Sequence, residues 1–201
     1  MNFKELTEAF DKDFGEQLFA AGFERSGPGW WTRERGDELN VLQMQKHSAE
    51  ALFCVNLGVH FSFLPAAGTE SPLSGSLSLP DCELKIRLTA RAEDKDQWWS
   101  IDSSSLASVA DALFSRGLQI FASYRLSGPI ASLDGQSVEE GRTGLLDSMT
   151  KVRACLLLAR MYERSGNRAK CVEVATVGLK HAGMAVGPKK ALKDVIARCA
   201  A

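Results

Sequence analysis

Few residue types in this chain are suited to chemistry. Among its 201 residues are three histidines and five cysteines. His60 alternates onto the same side of a strand pattern as Cys54 and Asn56, the side-chain types of a Cys-His-Asn site. Cys54 and His60 are six residues apart, however, and a strand rises about 3.3 Å per residue, so they stand about 20 Å apart and cannot touch. A site at His60 would need Cys82 or another segment as partner. His47 falls near a strand end and His181 near a helix end, where the dipole favours a cation, so both read as structural. The sequence has no P-loop, GxGxxG, HExxH or GxSxG motif. Cys54, Cys82, Cys155, Cys171 and Cys199 are odd in number, far apart and without a CxxC pair, which reads as reduced core thiols and not as a disulfide frame or a zinc site. The paired carboxylates Glu139-Glu140 and Asp94/Asp96 lie in polar stretches that they keep solvated. No catalytic residue, metal ligand or cofactor site is assigned, and the reading leans away from an enzyme.

What remains is a set of surface candidates. A pocket between a sheet and the segment 64–80 would be lined by Gln43, Asn56, His60 and Arg87. The four tryptophans come as the adjacent pairs Trp30-Trp31 and Trp98-Trp99. Neighbours on a strand face opposite ways, so each pair should send one ring into the core and leave the other partly exposed. Trp31, Trp98 and Trp99, with arginines nearby, are the candidates for a partner surface, because Trp and Arg are enriched at binding hot spots. The same rings would also serve to cover a sheet edge.

The elements that must position these residues are legible from periodicity. Phe3, Leu6, Phe10, Phe14 and Leu18, with Phe19 just outside the stripe, recur with helical period. Asn2 and Glu5 form a capping-box pattern at the helix start, and Gly22 is placed to end it. Trp30–Arg35 and Glu38–His47 read as strands joined by Gly36-Asp37, a glycine-first pair suited to a type II′ turn, with Trp31 opposite Leu42 and Arg35 opposite Glu38. The clearest strand is Leu52–Phe63. Phe53, Val55, Leu57, Val59, Phe61 and Phe63 point one way. Cys54, Asn56, Gly58, His60 and Ser62 form a small, polar opposite face that would line a groove, accept a second layer or meet solvent. Residues 64–80, rich in Pro, Gly and Ser, read as a long mobile loop. A strand follows with Cys82, Leu84, Ile86 and Leu88 on one side, then a short strand, Trp98–Asp102. Ser103–Ser105 offer N-cap oxygens to a helix that buries Leu106, Val109, Leu113 and Phe121, with Gly117 as a point of interruption.

The expected architecture is α+β: an antiparallel sheet of about five strands packed on helices over residues 1–126, a linker at 127–144, and a basic helical segment at 145–201. Charge divides along the chain. Residues 1–150 hold 13 Lys+Arg against 22 Asp+Glu, and residues 151–201 hold 11 against 3. The two parts either attract each other or reach different partners. Nothing in the sequence spans a bilayer or resembles a secretory signal, which sets the cytoplasm as the expected location.

Two resemblances follow from these residues. Helix, hairpin, Gln43-Met44-Gln45-Lys46, Val55-Asn56-Leu57-Gly58-Val59, Ile86-Arg87-Leu88 and Trp98-Trp99-Ser100-Ile101, in that order, resemble the bacterial domain of unknown function 4304 over about residues 1–125. The resemblance implies the fold and carries no catalytic residues. Residues 150–182 resemble a single tetratricopeptide-type helical hairpin, with Leu158-Ala159 and Tyr162 on a first helix and Ser165-Gly166-Asn167 at the turn. Cys171, Ala175 and Gly178 sit where a second helix approaches closely. One such repeat cannot bury its own face, so it must dock on the αβ body, on the final helix near Lys189–Ala200, or on another copy.

The function these features favour is a non-enzymatic protein-interaction or accessory factor of immunity type, with a protein partner or self-association. One alternative is nucleic-acid binding by Lys151, Arg153, Arg160, Arg164, Arg168, Lys170, Lys189, Lys190 and Lys193, although a single aromatic, Tyr162, is present there for stacking. The other is a small-molecule binder or enzyme with its pocket near His60.

Overall fold

Alternation along Leu52–Phe61 sets the centre of the fold, because a strand with large apolar groups on one side and small groups on the other can be packed on both. In the computed structural model, which describes residues 1–69, 71–73 and 75–200, this stretch is the central strand of an antiparallel sheet. The chain forms two compact units, Met1–Ala122 and Ser123–Ala201. The fold is α+β, as expected.

In the first unit, helix α1 (Phe3–Ala20) precedes strands β1 (Glu24–Gly27), β2 (Trp30–Arg35), β3 (Glu38–Lys46), β4 (Leu52–Phe61), β5 (Leu84–Arg87) and β6 (Trp99–Ser100). The sheet order is β1-β2-β3-β4-β5, and β6 shares the outer edge of β4 with β5. Strand β1 was not expected, since its Ser26-Gly27-Pro28-Gly29 end reads as a break. The β2–β3 register is as expected, with Trp31 opposite Leu42 and Arg35 opposite Glu38. Gly36 alone turns with positive φ (59°), the signature of a type II′ turn.

Helix α1 begins as the capping box requires: Asn2 accepts from the Glu5 N–H, and Glu5 accepts from the Asn2 N–H. It ends in a Schellman motif, with Phe23 N–H donating to Leu18 O, Gly22 N–H to Phe19 O, and Gly22 at φ 85°. Two arginines of β2 complete this end, since Arg33 and Arg35 both donate to the Ala21 carbonyl. Their charge complements the negative pole of the helix. Leu6, Phe10 and Leu18 are buried, and Phe19 is 72% exposed. Phe10 packs edge-on against Trp31 at 5.6 Å, and Phe23 meets Phe121 at 5.5 Å. Phe121 belongs to a second helical stretch, α2 (Ser104–Ala112), a π turn (Leu113–Gly117) and α3 (Leu118–Ser123), running end to end. Gly117 thus closes a π turn and does not break the helix. The cap is Asp102, not the serines: its Oδ1 accepts from Ser105 N–H and Ser104 Oγ–H.

The inner face of β4 carries Phe53, Val55, Leu57, Val59 and Phe61, all at most 1% exposed. The strand ends at Phe61, so Phe63 lies beyond it and stacks on Phe61 at 5.4 Å. The opposite face is also covered. Leu77 and Cys82 join Leu39 and Val41 in a buried cluster, with Trp30, Leu73 and Leu79 packed against it. Parts of the segment expected to be a loop are therefore a second layer. Cys82 sits in this layer, and not beside Leu84 and Ile86 as alternation implied, because a 3-10 turn (Leu79–Asp81) precedes β5 and shifts it out of phase.

In the second unit, α5 (Lys151–Arg164), α6 (Arg168–His181) and α7 (Val186–Ala200) pack together after a short α4 (Gly135–Glu139). The hairpin α5–α6 is where it was expected, and it docks on the final helix. Residues 127–144, expected as a linker, are built into this unit. Ile130 and Val138 are fully buried, Tyr162 Oη donates to Ala131 O at 3.0 Å, and the Gly135 N–H donates to Glu173 Oε1 at 3.1 Å. Sparse periodicity hid these helical turns.

Candidate functional site

Register places Trp30 opposite Gln43, Gln43 opposite Asn56, and Asn56 opposite Arg87. Paired residues of a pleated sheet point to the same side, so these four form one row across β2, β3, β4 and β5, on the face away from α1. With strands about 4.8 Å apart the row is about 14 Å long. Trp30, at one end, abuts the second layer. Towards the other end of β4 the face carries Cys54 and Gln45. Asn56 Nδ2 donates to Gln45 Oε1 at 2.9 Å, and Cys54 Sγ donates to Gln45 O at 3.6 Å.

Arg87 is held by two contacts. Its Nε is 3.2 Å from Asp96 Oδ1, and its guanidinium lies 4.9 Å from the Trp98 ring centre. Trp98 Nε1 donates to Asp96 Oδ2 at 3.1 Å, and His47 meets the Trp98 ring edge-on at 4.8 Å. Asp96 and Trp98, bonded to each other, thus hold the guanidinium from two sides. Among the described residues, the buried side-chain donors or acceptors without a hydrogen-bond partner are Trp30 Nε1, Arg87 Nη1 and the two ring nitrogens of His60. Two of these sit at the ends of the row. A buried donor left unmade costs about 1–3 kcal/mol.

Of the seven expected surface residues, Gln43, Asn56, Arg87 and Trp98 come together. Trp31 and Trp99 do not: they are 1% and 5% exposed on the other face, against Phe10 and Phe53. The rule that each pair splits its rings holds, but Trp30 is the ring beside Gln43, and the alternation of β3 and β4 was the signal that could have shown it. His60 is also apart, two row positions along β4 and fully buried. Burial pushes its pKa below the ordinary 6.5, against the weaker opposing pull of the Leu64 backbone and of the Glu83 and Asp81 carboxylates. It does not line an open pocket with Gln43 and Arg87.

Cys54 is not an activated thiol. Burial raises its pKa, and the nearby Arg87 charge only partly opposes this. All five cysteines are free and buried. In the second unit several basic residues serve the unit itself: Lys151 Nζ donates to Glu139 O at 2.6 Å, His181 Nε2 lies 2.9 Å from Glu139 Oε2, Arg198 Nη2 donates to Glu163 Oε2 at 2.9 Å, and Lys170 lies 5.3 Å from the Tyr162 ring centre. Among the described residues no helix is long and apolar enough to cross a membrane.

An α+β unit with one antiparallel sheet, helices on one face and a partial second layer on the other is the class defined by this geometry. The family described as Domain of unknown function (DUF4304) matches residues 14–116, from the middle of α1 to the π turn, and the chain belongs to that family. No curated protein and no solved structure matches the chain.

Proposed function

We propose that this chain is a non-enzymatic protein-interaction factor that docks a partner on the row Trp30, Gln43, Asn56 and Arg87, flanked by Trp98. The observation that carries this reading is the single cross-strand row that brings an indole, two amides and a guanidinium to one face, with the Trp98 ring packed on the guanidinium. The chemistry of the row is that of a surface for main-chain carbonyls or carboxylates, since indole, amide and guanidinium groups all offer donors. Trp and Arg together are also the side chains most enriched at interface hot spots. An accessory role in a bacterial cytoplasm is part of the same proposal; the sequence carries none of the common catalytic motifs.

The test compares tagged wild-type chain with the Arg87→Ala and Trp98→Ala variants in quantitative capture from native extract. Arg87 and Trp98 are both partly exposed, so the variants should fold. The reading expects a protein that is enriched by wild type and reduced at least about tenfold by either change, the size of one hot-spot contact. Equal capture by all three chains would overturn it.

A further inference from the structure

Helices α6 and α7 approach closely where Gly178 faces Leu192. A Cβ at Gly178 would lie 3.0 Å from Leu192 Cδ1 and 2.7 Å from Cys155 Cβ. Moving seven residues from this contact, towards the start of α6 and towards the end of α7, reaches Cys171 and Cys199. Seven residues are about two helical turns on each, so both cysteines return to the faces that meet at Gly178. The Cys199 thiol is near enough to help raise the pKa of Cys171, and the two are 6% and 0% exposed. Cys155 faces Gly178 itself, about 10 Å along the helix from the Cys171 level by helical rise.

We propose that Cys171 and Cys199 are a dithiol that a low-molecular-weight disulfide oxidises to an intrachain bridge between α6 and α7. The Cys199 thiolate attacks one sulfur of the small disulfide, forming a mixed disulfide and expelling one small thiolate. The Cys171 thiolate then attacks Cys199 Sγ, closing the bridge and expelling the second. The two protein thiol protons end on the two small thiols released, and the two electrons taken from the protein reduce the small disulfide. Burial pushes the Cys171 thiol up to about 12, the nearby Cys199 adding to the effect, so the closed dithiol is unreactive and oxidation proceeds when the last turn of α7 opens. The bridge then staples that turn to the first turn of α6, and α7 can no longer leave the bundle at that end.

The experiment incubates the full native chain with oxidised glutathione, quenches with an alkylating agent, and reads intact mass and linked peptides. The expected product has lost two hydrogens, carries a peptide joining Cys171 to Cys199, forms equally in the Cys155→Ser variant, and reverts with reductant. Its thermal midpoint should exceed that of the reduced chain by about 5 °C or more, because the bridge constrains the unfolded chain. A persistent glutathione adduct without closure, a bridge to Cys155, or closure only in denaturant would each overturn the proposal.

Discussion

Substituting Gly58 by alanine asks whether the outer face of β4 is covered, and the answer lies in the sign of the effect. Gly58 is not among the glycines with positive φ, so alanine is conformationally admissible there. On an open sheet face, Gly58→Ala would stabilise by about 0.4–1 kcal/mol by restricting the unfolded chain. In this structure the new Cβ would lie 2.5 Å from Cys82 Sγ, 3.0 Å from Leu79 Cδ1 and 3.1 Å from Val41 Cβ. Carbon and sulfur cannot remain at 2.5 Å, so the second layer must move out by about 1 Å and lose contacts over its whole footprint. Overpacking of this kind costs about 1–3 kcal/mol, so the substitution should destabilise. Removing the obstructing sulfur tests the cause: in the Cys82→Ala background the penalty should fall by about 1 kcal/mol or more, a coupling expected only of groups in contact. Urea unfolding of the four chains measures the cycle. A stabilised Gly58→Ala chain, or additive effects of the two changes, would refute the covered face.

Three further outcomes follow from the first unit. Arg33→Met should cost about 3 kcal/mol in urea unfolding, because it leaves Asn40 Oδ1 buried without its two guanidinium donors and removes a cation stacked 4.4 Å from Phe23 and 5.1 Å from Phe121. Asn2→Ala should cost about 1 kcal/mol by opening the capping box, visible as a lower thermal midpoint. For His60, burial lowers the folded pKa below 6.5, so the unfolded chain binds more protons and stability falls as pH drops below 6.5. Between about pH 7 and pH 5, above the range of ordinary carboxylates, the His60→Leu chain should show a flatter stability profile than wild type, and parallel profiles would contradict the buried, neutral imidazole.

Residues whose partners are close in sequence were the most legible. The Asn2–Glu5 box, the Gly36 turn and the inner stripe of β4 each depend on a few neighbouring positions, and local chemistry decides them. The outer face of β4 was less so, because Leu77, Leu79 and Cys82 follow no period and lie among prolines and serines that read as loop. The β2–β3 register puts Trp30 beside Gln43 and Trp31 beside Leu42, and the alternation of β3 carries that much, but how far each ring is covered depends on what packs on each face, a tertiary fact. Alternation alone puts His60 on one face with Gln43 and Arg87, but it does not show how much of that face is buried. The helical turns at Pro129–Ser132 and Gly135–Glu139 are too short to show a period, and they form because Tyr162 and Glu173 supply partners from distant helices.

The docking row can be examined most directly through the indole N–H signals of the 15N-labelled chain, one for each of its four tryptophans. On titration with a protein whose capture is lost in Arg87→Ala, the Trp30 and Trp98 signals should shift while those of Trp31 and Trp99, in the core, stay in place. Unmoved Trp30 and Trp98 signals, with the changes confined to amides of α5, α6 and α7, would contradict the assignment of this face as the binding surface.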